Sequence, residues 1–501
     1  MPLDKERMSQ KNLNIKTILG LALGSEICYL VIAGIENLRT QIPLFLICYL
    51  VIFLFYLAAA ALFFYFSANQ TNGGKIRWLK KLRIKLKEEG VSTKEFLTVG
   101  IIFGVIFRLT MLFTTPTLSD DIYRYVWDGK VASQGINPYQ YPPEAEELKP
   151  VRDHAVYPHL NHKEISTIYP PVSQLVFWGM FELDPSLLAF KAAFFGLDLL
   201  TIAILILVLK NLGLNSKRVL LYVWNPLIIV EISGSGHADI IGIFLLTLSL
   251  WFLTRKQLLW SNFTLVLSFL TKFIAIFLLP FIMLVKKENK SVLLLFFVLF
   301  TTLLYLPYAD AGEKLFSGLL VYTAKWRFND SIFSLIFSAV TKFWTQNTDS
   351  ALEFSKRIIG VIFVSLFIYF ILRFKKDFER EGNVWVFKLG LIFFGGFFLL
   401  SPTAHPWYLC WLLPFLVVVP NRAWLLLTGL AGLSYWILID YSKTGIWQET
   451  SWVKWVEYSP FYFLLVFDGI KNRIKDFLPL NQNPRNGGSQ PRSQGAADHR
   501  F

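Results

Sequence analysis

Apolar runs of membrane-spanning length recur from one end of this chain to the other, and they constrain its fold more than any other feature. Residues 42–66 and 187–209 are apolar on every face. Within a bilayer no water satisfies backbone N–H and C=O groups, so a spanning chain is either helical or a closed barrel. Barrel strands alternate polar and apolar residues with a period of two, and these runs do not alternate. The expected fold class is therefore all-α, a polytopic transmembrane helical bundle. Roughly 20 apolar residues cross the hydrocarbon core. Spans are expected near residues 15–35, 42–66, 95–113, 187–209, 219–234, 238–254, 258–271, 273–285, 291–307, 358–373, 384–400, 407–419, 423–439 and 456–470, about fourteen in all.

Composition agrees. The chain is 54% hydrophobic and 17% charged, where a soluble domain carries about 25% charged residues. A net charge of +14 would suggest nucleic acid in a soluble protein. Here the basic residues crowd into short connections, where they report orientation instead, and no nucleic-acid partner is expected. With the N-terminus in the cytoplasm, basic clusters at residues 5–16, 75–87, 210–218, 255–256, 286–290, 373–380 and 471–475 all fall inside. The long connections 114–186 and 308–357 then fall outside. Residues 13–35 are longer than a secretory signal core and lack a clear cleavage site, so an uncleaved first span is expected. Cys28, Cys48 and Cys410 sit inside apolar runs, with no spacing for a disulfide framework or a metal.

Residues 258–285 resist a single-helix reading. Such a helix would be about 42 Å long against a core near 30 Å. It would hold Lys272 at mid-depth, at a cost of about 2.5–3.5 kcal/mol or more, and would invert every later connection. A short hairpin broken at Thr271-Lys272 is expected, with Lys272 near the outer surface. In residues 75–89, Ile76, Leu79, Leu82 and Leu86 recur at helical spacing among Lys and Arg, as in a helix lying on the cytoplasmic leaflet. The tail from Asn481 has the composition of a disordered segment.

Charges at or within a membrane are functional candidates by default. The densest group is Ser119-Asp120-Asp121-Ile122-Tyr123-Arg124-Tyr125-Val126-Trp127-Asp128-Gly129. Ser119 suits an N-cap and Gly135 a stop. Asp120, Arg124 and Asp128 then share a helix face. The helix dipole favours ionised aspartates in the first turn, and an ionised carboxylate at a membrane surface suits a general base; ordinary caps look the same. Aromatic, Pro-rich stretches follow, including Tyr169-Pro170-Pro171. Glu231, His237, Asp239, Lys272, Lys325, Arg327, Asn329, Asp330 and His405 are expected on the same outer side. His237 and His405 lack the spacing of a metal pair, and neither metal nor cofactor is expected.

The run from Ser119 to Lys130, with Gly135-Ile136-Asn137-Pro138-Tyr139, resembles the first outer loop of bacterial C-type (GT-C) glycosyltransferases. The resemblance is to polyprenol-phosphate-mannose-dependent mannosyltransferases, glycosyltransferase family 87-like proteins included. Tyr169-Pro170-Pro171, Leu270-Thr271-Lys272 and His405-Pro406-Trp407-Tyr408 match later parts of that pattern, over roughly residues 95–420. The resemblance implies a multi-pass protein of a bacterial inner (plasma) membrane with an extracytoplasmic active site. It implies hexosyl transfer, mannosyl for the nearest relatives, from a polyprenyl-phosphate sugar to a lipid or glycan acceptor among membrane lipids. It also implies an acidic base, Asp120 or Asp121, and Asp120 is favoured for the face it shares with Arg124. Lys272, Arg124, Lys325 and Arg327 are the expected phosphate ligands, and His237, Asp239, His405 and Tyr169 complete the substrate-binding set. The expected organisation is N-terminal spans with a basic amphipathic helix (1–94), a GT-C-like catalytic membrane core (95–420), C-terminal spans (421–480) and a tail (481–501). A lipid-linked sugar flippase or transporter, or an O-antigen ligase-type protein, is the alternative. The first would place charges at mid-membrane, and the second would carry Arg-rich outer loops.

Overall fold

A computed structural model describes residues 2–67, 93–285 and 290–477. The amphipathic stretch expected at residues 75–89 and the tail expected from Asn481 lie outside the described residues. Within them the protein is all-helical, apart from an isolated bridge between Phe328 and Thr403. Eight described helices are long and apolar enough to cross a membrane: Lys16–Ala33, Leu38–Leu62, Glu95–Leu112, Leu187–Asn211, Lys290–Lys325, Thr348–Glu381, Asn383–Leu400 and Arg422–Thr444. Shorter apolar helices run over Asp239–Thr254, Leu258–Phe269, Phe273–Leu284, Ile332–Phe343 and Pro406–Val418.

The outward faces of these helices are oily. Leu372 is 79% exposed, and Leu54, Leu295 and Val361 are exposed with it. Belts of this kind on a water-soluble protein would be association or aggregation surfaces. Against lipid tails, which are as apolar as leucine, they carry no such penalty. The protein is thus an integral membrane protein.

Three elements depart from simple spans. The Thr348–Glu381 helix has 34 residues, roughly 51 Å at 1.5 Å per residue, well beyond the segment 358–373 expected to cross. Its polar ends remain helical because Asn347 caps it, accepting from the Ser350 N–H at 2.9 Å. The i,i+4 ion pairs Arg357–Glu353 and Arg373–Asp377 support both ends, and Gly382 (φ 60°) stops it. In place of a continuous span at 219–234 there are the short helices Leu220–Val223 and Pro226–Ile228, then a π-helical turn, Ile229–Gly234. Pro226 cannot donate to the preceding turn, and the whole segment is buried among other helices, where irregular backbone is tolerated. Residues 258–284 do turn back: Leu258–Phe269 packs along Leu279–Leu284. The tip between them is pinned by hydrogen bonds from Val172 N to the Leu270 carbonyl (2.9 Å) and from Ser173 Oγ to the Thr271 carbonyl (3.1 Å).

Charged side chains inside the bundle have polar partners. Arg108 Nε lies 2.6 Å from Asp198 Oδ2 with both side chains fully buried. Tyr222 donates to the other Asp198 oxygen at 2.6 Å, and Arg108 also donates to the Val223 carbonyl at 2.6 Å. Lys191 donates to the Thr114 carbonyl at 2.5 Å. These contacts lock the Thr93–Leu112, Leu187–Asn211 and Leu220–Val223 helices together, since an unpaired buried charge would cost several kcal/mol. That scaffold holds the segment that follows Leu112, which carries the candidate site.

Candidate active site

The Asp121–Ser133 helix begins one residue later than Ser119 capping would have it. Asp120 occupies the N-cap position without a side-chain cap bond, while Ser119 Oγ accepts from the Asp121 N–H at 3.3 Å. The helix packs on Pro171–Leu183 at close range: a Cβ at Gly129 would stand 2.4 Å from the Phe177 carbonyl oxygen. Only glycine allows that approach.

In front of the helix N-terminus lies a cavity of about 460 Å³. Asp120, Asp121, Arg124, Tyr169, Asp239, Lys272, Lys325, Arg327 and His405 all line it. Of the ten expected site residues only His237 is not part of the lining. It lies behind Asp121, with Nδ1 3.7 Å from Asp121 Oδ2. Residues as far apart in sequence as Asp120 and His405 thus converge on one space, within the range of size typical of ligand pockets.

The ion pairs reorder the expected roles. Arg124 does not reach toward Asp120. Its Nε donates to Asp128 at 2.9 Å and its Nη2 to the Ile165 carbonyl at 3.0 Å. The second Asp128 oxygen accepts from Thr167 Oγ1 (2.5 Å) and Gln174 Nε2 (3.1 Å). Arg124 therefore ties the helix to residues 165–174, and the reason for favouring Asp120 falls away. Asp120 instead pairs with Arg39 Nη2 at 2.8 Å. Arg39 comes from the Leu38–Gln41 turn, which Asn37 caps. This residue escaped the sequence reading, although a signal exists: it is a basic residue in a connection assigned to the outer side, against the positive-inside bias.

Asp239 starts the Asp239–Thr254 helix and accepts from Lys272 Nζ at 2.5 Å and Trp411 Nε1 at 2.6 Å. Lys272 leaves the hairpin tip in extended backbone, with its ammonium 3.9 Å from the centre of the Tyr408 ring. Tyr408 in turn shares a 2.6 Å hydroxyl contact with Tyr322. Arg327 pairs with Asp330 at 2.7 Å and stacks over Phe337. Phe328 N donates to the Pro402 carbonyl and the Phe328 carbonyl accepts from Ala404 N, which sets Phe328 against His405. Lys325 is exposed at the cavity wall, and no acidic side chain pairs with it among the described residues.

The Trp407 ring is held between two imidazoles, His237 at 4.0 Å and His405 at 4.3 Å between centroids. Burial, with Lys272 and His237 nearby, lowers His405 to about 3, so its ring is neutral. Burial also raises the Asp121 carboxyl above its ordinary value, while His237 and Lys272 draw it part of the way back. Tyr125, Trp326, Tyr435, Tyr441 and Trp447 add further aromatic faces. Trp447 and Tyr441 come from the C-terminal region, and their place here carries no signal in the sequence. Among the described residues no three His, Cys, Asp or Glu side chains gather as a metal site.

Comparison with known proteins adds two matches. Residues 76–288 match the family model described as alpha-(1->6)-mannopyranosyltransferase, N-terminal domain. Residues 330–461 match the model described as MptB C-terminal domain. Asp120, Asp121, His237, Asp239 and Lys272 lie within the first, and His405 and Trp447 within the second; Arg39, Lys325 and Arg327 lie outside both. No curated protein and no solved structure matches the chain.

Proposed function

The chain belongs to the alpha-(1->6)-mannopyranosyltransferase family, a GT-C-like group of mannosyltransferases, and from that premise we propose that it moves mannose from a polyprenyl-phosphate donor to a lipid or glycan acceptor, forming an α-1,6 bond. The observation that carries the reading is the charge balance of the cavity. Asp120, Arg124, Asp239, Lys272 and Arg327 are all satisfied by opposite charges. Among the described residues, the only ion-pair partner of Asp121 is an imidazole, with the Lys272–Asp239 pair nearby, and no acid pairs with Lys325. One uncommitted acid and one uncommitted cation are what an inverting transfer from a sugar phosphate requires.

Asp121 is the base in this reading. It takes the proton of the acceptor hydroxyl as the oxygen bonds to C1 of the mannose. The C1–O bond to phosphate breaks on the opposite face, and its electron pair leaves with the polyprenyl phosphate. The transition state has oxocarbenium character, as in glycoside hydrolysis. A phosphate leaving group needs no proton, but it needs positive charge where negative charge grows. Lys325 supplies that charge, and Lys272 does so to the extent that Asp239 leaves it free. The neutral His405 and the aromatic walls suit a sugar, which presents apolar C–H faces and polar edges.

In this reading the basic clusters face the cytoplasm and the cavity opens at the extracytoplasmic surface of a bacterial inner membrane. The family match favours transfer over transport of lipid-linked sugars. The test is incubation of the purified protein with polyprenyl-phosphate [14C]mannose and membrane glycolipid acceptors, with the anomeric configuration of the product read by NMR. An inverted product is expected. Absence of transfer, or transfer with retention, would sink the proposal.

A further inference from the structure

Behind Asp121 lies an imidazole with carboxylates on both sides. His237 is fully buried. Its Nδ1 is 3.7 Å from Asp121 Oδ2 and its Nε2 is 3.2 Å from Glu231 Oε2. Neither nitrogen has a well-aligned hydrogen bond in the structure, so both face acids across gaps that a small shift would close. Glu231 is itself fully buried and is fixed by Tyr435, whose hydroxyl lies 2.8 and 2.9 Å from its two oxygens.

The backbone is shaped for this contact. Glu231 sits in the π-helical turn Ile229–Gly234, and π turns are rare and concentrate at functional sites. His237 N donates to the Glu231 carbonyl at 3.0 Å, which closes the chain back on itself. Gly236, at φ 74°, makes the bend, and a Cβ there would stand 2.6 Å from Ile122 Cδ1. Ile122 follows Asp121, so the bend is seated directly against the start of the Asp121–Ser133 helix. Stacking on Trp407 fixes the plane of the ring.

Resting on the reading of Asp121 as base, we infer that His237 and Glu231 form a buried relay that positions Asp121 and takes the proton it collects. In the resting state the Nε2 proton points to Glu231, and the unprotonated Nδ1 stands 3.7 Å from Asp121 Oδ2, a separation that closes once the carboxyl carries a proton. When the acceptor O–H bond breaks, the proton passes to Asp121 and on to Nδ1. The imidazolium then lies between the Glu231 and Asp121 carboxylates. After the product leaves, the proton returns through Asp121 to solvent. No electrons change hands. The other ionisable groups around the ring are His405, across Trp407, and the Lys272–Asp239 pair beside Asp121. The stem of Lys191 packs against Gly236. His237 and Glu231 touch no substrate in this scheme, and both are positioning residues.

The test measures mannosyl transfer against pH for the wild type, Asp121→Asn, His237→Gln, Glu231→Gln and the double variant Asp121→Asn/His237→Gln, all full length in nanodiscs at matched monodispersity. His237→Gln is expected to lower kcat on the order of 10²-fold with donor KM unchanged, and to displace the acid limb of the pH profile. Glu231→Gln, which keeps a partner for the Tyr435 hydroxyl, should move kcat in the same direction, and it decides the matter if His237→Gln does not fold. The double variant should be no slower than Asp121→Asn alone, because residues acting as one unit are not additive. A wild type without transfer, or an active Asp121→Asn, would overturn the functional reading and the relay together. A slow Asp121→Asn beside a His237→Gln of normal kcat and pH profile would overturn the relay and leave the base in place. Fully additive losses in the double variant would also overturn it, since they would make His237 a packing residue.

Discussion

At the scale of single residues, the two adjacent aspartates separate by what they touch. Asp120 is neutralised by Arg39 and Asp121 is not. Asp121→Asn should therefore lower transfer by about 10²–10⁴-fold, the usual contribution of a general base. Asp120→Asn should cost less than about tenfold, because it removes only one partner of a partly exposed ion pair. Equal losses in the two variants would reject this division. The raised pKa of Asp121 has a sign that can be checked. A carboxyl whose folded value stands above its unfolded value is favoured by folding as the neutral acid. Its contribution is present below the unfolded value and is lost as pH rises through the folded one. The ionised form that a base requires is thus a burden on stability, and Asp121→Asn should keep or raise Tm while it lowers transfer. A fall in Tm would show that the side chain holds the fold together. Lys325 belongs to the same scale. Lys325→Ala should raise donor KM and leave Tm unchanged, because an exposed lysine without a partner contributes nothing to folding; an unchanged KM would remove it from the phosphate site.

At the scale of elements, the site depends on how closely the Asp121–Ser133 helix approaches Pro171–Leu183. Gly129→Ala would place a methyl group against the Phe177 backbone, which has no rotamer by which to yield. Overpacking of this kind costs roughly 1–3 kcal/mol, so Tm and transfer should fall together in a thermal scan and an activity assay. Gly179, on the facing helix, has open space where its Cβ would go. Gly179→Ala should be neutral, or stabilising by about 0.5–1 kcal/mol, because alanine is the better helix former. Similar losses at both positions would mean that helix propensity, and not the close approach, decides. The hairpin at residues 258–284 was legible from length and charge alone: one helix was too long and would have drowned Lys272. The broken segment at 219–234 was not legible, because its hydropathy matches that of a lipid-facing span. Only the surrounding helices reveal that it touches no lipid.

At the scale of the whole molecule, the bundle has an orientation that can be read by labelling. If the basic clusters face the cytoplasm, single cysteines at Lys210 and Lys256 should react only from inside, and cysteines at His159 and Glu313 only from outside. All four positions are exposed, so the readout is access across the membrane and not burial. Labelling of position 159 from the cytoplasmic side would invert the orientation and the side of the active site with it. The same scale accounts for the long Thr348–Glu381 helix, whose apolar window is left almost wholly uncovered by the rest of the described protein and whose two ends carry charged pairs.

The sequence by itself determined that this chain lives in a bilayer, that it is helical, and which charged residues are out of place there. It could do so because apolar length, basic clustering and the energetic penalty on a buried charge are local properties, written in consecutive residues. The pairing of those charges was decided only by tertiary structure. Arg39 and Asp120, Lys272 and Asp239, and Asp121, His237 and Glu231 meet across stretches of chain whose spacing carries no trace of contact. Helix periodicity placed Arg124 within reach of both Asp120 and Asp128, and the Ile165 carbonyl beyond the helix helps hold it toward Asp128. Which acid is left unpaired, and so free to act as a base, depends on distances of a few ångströms between helices, and those are set by packing.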